Sequence, residues 1–283
     1  MMHLGNGARP CANIRSAMTG SHTARLPRDG DTPKLARKTY EKRLQEAQRR
    51  LQRIQQAYLH TGDRAVIVLE GYDAAGKGGA IRRMTAKLDP RSFKVWPIAA
   101  PNELEKRHHY LRRFWTRLPE RGHIAVFDRS WYGRVLVERV EELAPKHAWM
   151  RAYREINDFE RLLADDGMHV IKIFLHVSPA AQLRRFRERL TTPRKRWKLT
   201  YEDFRNRERR ADYDLAVADM LERTSTDLAP WHVIPADNKL YARVETLRRI
   251  ADAASDGVDL TLPPVPEALR ELARRELGIE IDD

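Results

Sequence analysis

Val66-Ile-Val-Leu-Glu-Gly71-Tyr-Asp73-Ala-Ala-Gly76-Lys77-Gly78-Gly79 is the stretch on which the reading of this chain turns. An apolar run ends in a glycine-rich loop that carries one lysine, and a helix-like segment follows. Glycines let backbone N–H groups turn inward on a polyanion. The next helix points the positive end of its dipole at the same place, and the lysine adds a full charge. The spacing from Gly71 to Gly76-Lys77 fits a P-loop, but Gly78 stands where that loop carries Ser or Thr, so the usual hydroxyl ligand for Mg²⁺ is missing. Asp73 places a carboxylate inside the loop instead. The stretch predicts a phosphate and metal site built in an unusual way.

Outward from the loop, β-rich runs alternate with helical stretches. The runs are Ala65–Leu69, Phe93–Ile98, Ile124–Phe127, Val170–His176 and Trp231–Ile234. Between them lie helical segments at Ala80–Leu88, Glu103–Leu118, Tyr132–Ala164 and Pro179–Arg223. This order predicts an α/β fold: a P-loop kinase-like parallel five-stranded sheet flanked by helices, with its site at the carboxyl ends of the strands. Ahead of the sheet, Tyr40, Leu44, Ala47, Leu51, Ile54 and Tyr58 form one apolar stripe on a basic helix over Lys34–His60. Packing on its own domain is the favoured use of that stripe, and a subunit contact the other. Residues 1–33 mix Gly, Ser, Thr, Pro and Arg without periodicity and predict a disordered tail. The main domain is expected over 34–257. After Tyr241–Ser255, residues 258–283 form an extension with a Pro-rich joint and a short amphipathic helix.

The 283 residues suffice for one large core, and no apolar run is long enough to span a bilayer. The N-terminus lacks the apolar core of a secretory signal. One cysteine, Cys11, excludes an internal disulfide framework, so the expected location is the cytoplasm. Net charge is +13, from 53 Lys+Arg against 40 Asp+Glu. The tail contributes little of it, and the body keeps about +11 by charge counting. Such an excess implies a polyanionic partner without choosing among nucleic acid, an anionic surface and a phosphate-rich substrate.

Two further constellations narrow the choice. Ile124-Ala-Val-Phe127-Asp128-Arg129-Ser130-Trp131-Tyr132-Gly133-Arg134 delivers an aspartate at a strand's carboxyl end, where a Walker-B residue holds water or Mg²⁺. Two arginines follow, suited to clamping phosphate oxygens. The bland alternative makes Asp128 a helix cap and Arg129 a surface residue. From Arg184 to Arg210 there are twelve Lys+Arg against four acidic residues, interrupted by Thr191-Thr-Pro193. A charge run is usually a solvated helix face. A basic hairpin at about 182–210, before the last strand, also has the place and composition of a lid that closes over phosphates.

Together, Glu70-Gly-Tyr-Asp73-Ala-Ala-Gly-Lys77-Gly-Gly79, Phe127-Asp128-Arg129-Ser-Trp131-Tyr132-Gly-Arg134 and Pro193-Arg-Lys195-Arg-Trp197-Lys198 resemble the three signatures of the polyphosphate kinase 2 family. The resemblance covers roughly residues 34–255, and Val135–Val140 is especially similar to members that phosphorylate AMP. It implies Mg²⁺-dependent, reversible transfer of the terminal phosphoryl group of inorganic polyphosphate to a nucleotide. AMP to ADP is the first expectation, ADP to ATP the second, and guanine acceptors stay open. Mn²⁺ is the expected substitute metal, and a homodimer or homotetramer the expected assembly. By the same resemblance Lys77 and the Gly76, Gly78 and Gly79 amides hold the transferring phosphate. Asp73 orients or deprotonates the acceptor, Asp73 and Asp128 bind metal, and Arg129 and Arg134 neutralise developing charge. Arg189, Lys195 and Lys198 line the polyphosphate path, and Pro101, Asn102, Glu103 and Arg113 hold the nucleotide.

The chain departs from the family pattern at Thr192, where Asp is usual, at Thr200, often Ser, at Asn102, usually Thr or Ser, and at Arg112, usually Trp. The last two bear on the choice of acceptor more than on the reaction. Two readings compete. One is an ATP-dependent nucleoside or nucleotide kinase on the same fold, disfavoured by Gly78 and the lid match. The other is a nucleic-acid-binding protein, for which no helix-turn-helix, zinc or RNA-binding signature is visible. Neither a specific nucleic acid nor a membrane is an expected partner.

Overall fold

The computed structural model describes residues 25–28 and 32–281. Most of the tail predicted to be disordered lies outside the described residues; within it, Leu26 packs against the core. Five strands, β1 (Arg64–Gly71), β2 (Phe93–Pro97), β3 (Ile124–Asp128), β4 (Met168–His176) and β5 (Trp231–Pro235), form one parallel sheet in the order β2-β3-β1-β4-β5. β1 is central. Its run from Ala65 to Glu70 is buried, as a strand covered on both faces must be, and this is why it reads as a continuous apolar stretch.

In register, Leu69 lies beside Asp128 of β3 and Ile173 of β4, so the loops after β1 and β3 leave the sheet side by side. Gly71 closes β1 at a point only glycine can occupy. Its φ is +146°, and a Cβ there would stand 2.5 Å from the Leu175 carbonyl oxygen of β4.

The basic helix is α1 (Arg37–Thr61), ended by Gly62 in the left-handed conformation. Tyr40, Leu51, Ile54 and Tyr58 of its stripe are buried against the same chain, and the Tyr58 hydroxyl donates to Ala254 O at 2.7 Å. That oxygen belongs to α10 (Lys239–Ala254). Most of the stripe is thus spent inside the monomer, the use favoured for it, with Leu44 and Ala47 half-buried. After the phosphate loop comes α2 (Lys77–Met84).

Two stretches read as long helices are broken. Glu103–Leu118 forms two single turns, α3 (Glu103–Lys106) and α4 (Arg112–Trp115). Tyr132–Ala164 splits into a 3₁₀ turn (Trp131–Arg134), α5 (Val137–Val140) and α6 (Lys146–Asp165). Pro145 keeps its predecessor out of helical geometry, and Glu142 adopts φ +57°, so the helix restarts. The basic segment is a hairpin of α7 (Pro179–Thr191), a 3₁₀ turn (Pro193–Lys198) and α8 (Tyr201–Glu208), followed by α9 (Arg210–Thr224). The last short helix is α11 (Glu267–Leu272). Among the described residues no helix is long and apolar enough to cross a membrane.

Candidate active site

A cleft of about 1120 Å³ opens at the carboxyl ends of the central strands, between the phosphate loop, the basic hairpin and α10. For backbone N–H groups to face a phosphate, the loop carbonyls must face away and find donors elsewhere. α7 supplies them. Gln182 Nε2 donates to Asp73 O at 3.1 Å. Arg185 Nη1 donates to Ala74 O at 2.7 Å and Ala75 O at 2.9 Å, while its Nη2 donates to Ala236 O and, at 3.3 Å, to Asp237 O. Ala74 is held at φ +61° by this arrangement. Burial pulls the Arg185 guanidinium down to about 10, a cost accepted for fixing the loop.

Lys77 Nζ donates to Gly71 O at 2.7 Å, so the ammonium lies folded over the loop. Burial, reinforced by Arg129, pushes its pKa below the ordinary lysine value; Asp73, Asp128 and Glu70 pull the other way. Arg129 leaves β3 at φ +67° with its N–H bonded to Leu69 O. That left-handed step aims its guanidinium at the loop, where Nη2 meets Asp73 Oδ1 at 2.8 Å. Burial opposes the Arg129 charge, but Asp73, Glu70 and Asp128 outweigh it and raise its pKa. The other Asp73 oxygen accepts from Asn206 Nδ2 of α8 at 2.7 Å. Asp73 and Arg129 also wall a smaller chamber with Tyr72, Val137, Asn206 and Tyr213, and so stand where the two cavities meet.

The cleft brings together Asp73, Gly76, Lys77, Gly78, Gly79, Asp128, Arg129, Arg189, Lys195 and Lys198. In the hairpin, Arg189 donates to Lys198 O at 2.9 Å, and Glu188 bridges Lys195 at 2.5 Å and Lys239 at 2.9 Å. Those two hydrogen-bonded ammonium groups, Lys195 first, hold the Glu188 carboxyl down to about 2. Trp197 is 76% exposed at the cleft, with the Lys198 ammonium 5.0 Å from its ring centre. Trp131 and Phe114 are buried, whereas Trp115 is exposed and tilts over Phe159.

Other predicted site residues lie outside this lining. Arg134 pairs with Glu138 at 2.9 Å and rests over the Tyr110 ring. Asn102 caps α3, accepting from Glu105 N at 2.8 Å, and Glu103 pairs with Lys106 at 2.6 Å. Arg113 donates to Ala99 O at 3.0 Å. Glu105 also pairs with Arg113 at 3.5 Å, and Arg134 and Arg113 both act on Glu138, which links Asn102, Arg113 and Arg134. Conversely, Arg82, Arg83, Arg243 and Lys239 line the cleft without having been singled out in the sequence. Arg82 and Arg83 sit one turn past the loop and were within reach of its spacing. Arg243 and Lys239 arrive only through the packing of α10.

A family model described as polyphosphate kinase 2 matches residues 34–259. Over 188 residues the chain is 54% identical to a protein named polyphosphate:AMP phosphotransferase from Pseudomonas syringae, covering 66% of this chain and 38% of that one. The chain therefore spans well under half the length of that relative. It is 39% identical over 247 residues, 86% of this chain and 81% of the other, to a protein named ADP-polyphosphate phosphotransferase from Pseudomonas aeruginosa. Its structure matches the crystal structure of polyphosphate kinase 2 from Arthrobacter aurescens with a TM-score of 0.80 at 32% identity, over 86% of this chain and 88% of that one. The parallel sheet with its phosphate loop is a P-loop kinase fold, and the chain belongs to the polyphosphate kinase 2 family.

Proposed function

We propose that this chain transfers the terminal phosphoryl group of inorganic polyphosphate to a nucleotide, with AMP as the preferred acceptor and ADP as the second. The observation that carries the reading is the ion pair of Asp73 and Arg129 at the mouth of the phosphate loop, inside a cleft whose other wall is the basic hairpin. The 54% identity to a polyphosphate:AMP phosphotransferase favours AMP.

An acceptor phosphate oxygen attacks the terminal phosphorus, and the bridging oxygen leaves with the shortened chain. The second ionisation of a phosphate monoester lies near pH 6, so AMP enters largely as a dianion and needs no strong base. Asp73 then orients rather than deprotonates: it holds Arg129 over the site, where the guanidinium meets charge spread on the transferring oxygens. The Lys77 ammonium and the N–H groups of Gly76, Lys77 and Gly78 fix the terminal phosphate, while the Gly79 N–H turns back to Gly76 O at 3.0 Å. Arg189, Lys195 and Lys198 carry the rest of the chain, and Arg134, Pro101, Asn102, Glu103 and Arg113 serve the nucleotide side.

Asp73 and Asp128 both line the cleft, and two carboxylates completed by substrate phosphates and water are a donor set that suits Mg²⁺. When bound, the metal neutralises charge across the phosphoryl oxygens. No group of three or more His, Cys, Asp or Glu able to hold a metal occurs among the described residues, which fits a metal shared with substrate.

The test is the pair Asp73→Asn and Lys77→Ala, assayed for polyphosphate-dependent ADP formation from AMP. A fall of about 10²-fold or more in each supports the reading. Activity near wild type in either contradicts the site.

A further inference from the structure

α6 buries one stripe, Ala152, Ile156, Phe159 and Leu163 among it, against its own chain. Leu162 falls outside that stripe and stays 52% exposed, and Trp115 of α4 is 54% exposed. An open groove of about 550 Å³ runs between them, lined also by Leu111 and Phe159. The Trp115 ring tilts over Phe159 with ring centres 5.6 Å apart. This groove shares no residue with the phosphate cleft or with the smaller chamber beside it, so phosphoryl transfer gives it no use.

The two sides of the groove carry opposite charge. Arg112 stands on the α4 side, exposed and in no ion pair among the described residues. Asp158 stands on the α6 side, also exposed, and meets only Arg161 of its own helix at 3.7 Å. Asp158 and Leu162 are four residues apart, so helical spacing sets carboxylate and apolar side chain on one face. Exposed apolar groups rimmed by charge mark a contact surface, and an exposed Trp is its strongest anchor. A partner with charge of one sign would satisfy one side of the groove and oppose the other. A second copy turned about a two-fold axis satisfies both. It brings its own Asp158 to Arg112 and its own Arg112 to Asp158, with Leu162 set against Trp115 across the axis.

We propose that this groove is a self-complementary docking surface whose occupant is a second copy of the chain, joined by the Leu162–Trp115 and Arg112–Asp158 contacts made in both directions. The surface lies apart from the phosphate site and does not depend on the identity of donor or acceptor.

The experiment is sedimentation of the full chain at several concentrations, for wild type, Arg112→Glu, Asp158→Arg and an equal mixture of the two variants. Both residues are exposed, so folding is not at stake. Wild type is expected at the mass of two chains or a multiple of it. Either reversal sets like charges against each other at both contacts and should weaken association by about tenfold or more. The mixture should recover it, because a pair made of one copy of each variant has opposite charges at both contacts. A charge pair formed within one chain would give no such recovery. Wild type at the mass of one chain overturns the surface. So do single variants that associate as wild type does, and so does a mixture that associates no more tightly than its components.

Discussion

Ser130 Oγ donates a 2.8 Å hydrogen bond to Oε1 of Glu70, and both side chains are buried. Ser130 follows Asp128-Arg129 at the end of β3, and Glu70 precedes the phosphate loop at the end of β1. The bond therefore clasps the two segments that carry the phosphate site. A serine sealed in this way has no access to substrate, which gives it a structural task rather than a nucleophilic one.

The Glu70 carboxyl is raised by burial, against the pull of Lys77, Ser130 and Arg129. A carboxyl raised in the folded state binds more protons folded than unfolded, so its contribution is full below the ordinary glutamate range and is lost as pH rises through the elevated value. Glu70→Gln keeps an acceptor for Ser130 and removes that titration. Chemical denaturation at pH 5 and pH 8 should show wild type losing stability relative to Glu70→Gln at the higher pH. A constant difference between the two would contradict the assignment.

Arg185 is expected to hold the loop's carbonyls outward. Arg185→Leu removes donors from Ala74, Ala75, Ala236 and Asp237 and leaves several buried oxygens unpaired. A stability loss of about 2–4 kcal/mol should appear in urea melts, from charged hydrogen bonds lost and acceptors orphaned. The folded fraction should also show a raised KM for polyphosphate, since the N–H groups are no longer held inward.

Beneath the β3 loop, Lys172 and Glu160 form a buried pair at 2.7 Å, and Glu160 also accepts from Trp131 Nε1 and the Tyr132 hydroxyl. Lys172→Met should cost about 3–5 kcal/mol, because it removes the buried counter-ion of Glu160 and leaves only the neutral donors Trp131 and Tyr132. The double variant Lys172→Met/Glu160→Gln should recover a large part of that loss. A double variant as unstable as the single one would show that the charge is not the cause.

Gly71→Ala forces a Cβ to within 2.5 Å of the Leu175 carbonyl oxygen at a φ of +146°. The strand must move, and a loss of at least about 3 kcal/mol is expected from clash and backbone strain together. Gly76→Ala meets open space at φ +118°, so the strain there is conformational alone and its loss should be smaller.

All five strands were legible because each is a short apolar run ending near a turn or a polar residue, and the Gly71–Gly79 loop carries its chemistry in its spacing. Arg185 was not legible. It sits in a run of cations that resembles a solvated face, and only the packing of α7 against the loop shows it to be an internal donor. Arg243 lies far along the chain and reaches the cleft through α10 alone. The break at Glu142–Pro145 was masked by helix-forming residues on both sides. The 101–113 segment was matched by resemblance, and its side chains cap and pair locally.

Nucleotide chromatography of purified protein with Mg²⁺ and polyphosphate, given AMP or ADP in separate reactions, identifies both donor and acceptor. ADP should form from AMP, and not when polyphosphate is omitted, with slower formation of ATP from ADP. No product in either reaction, or product only when ATP replaces polyphosphate as donor, would contradict transfer from polyphosphate.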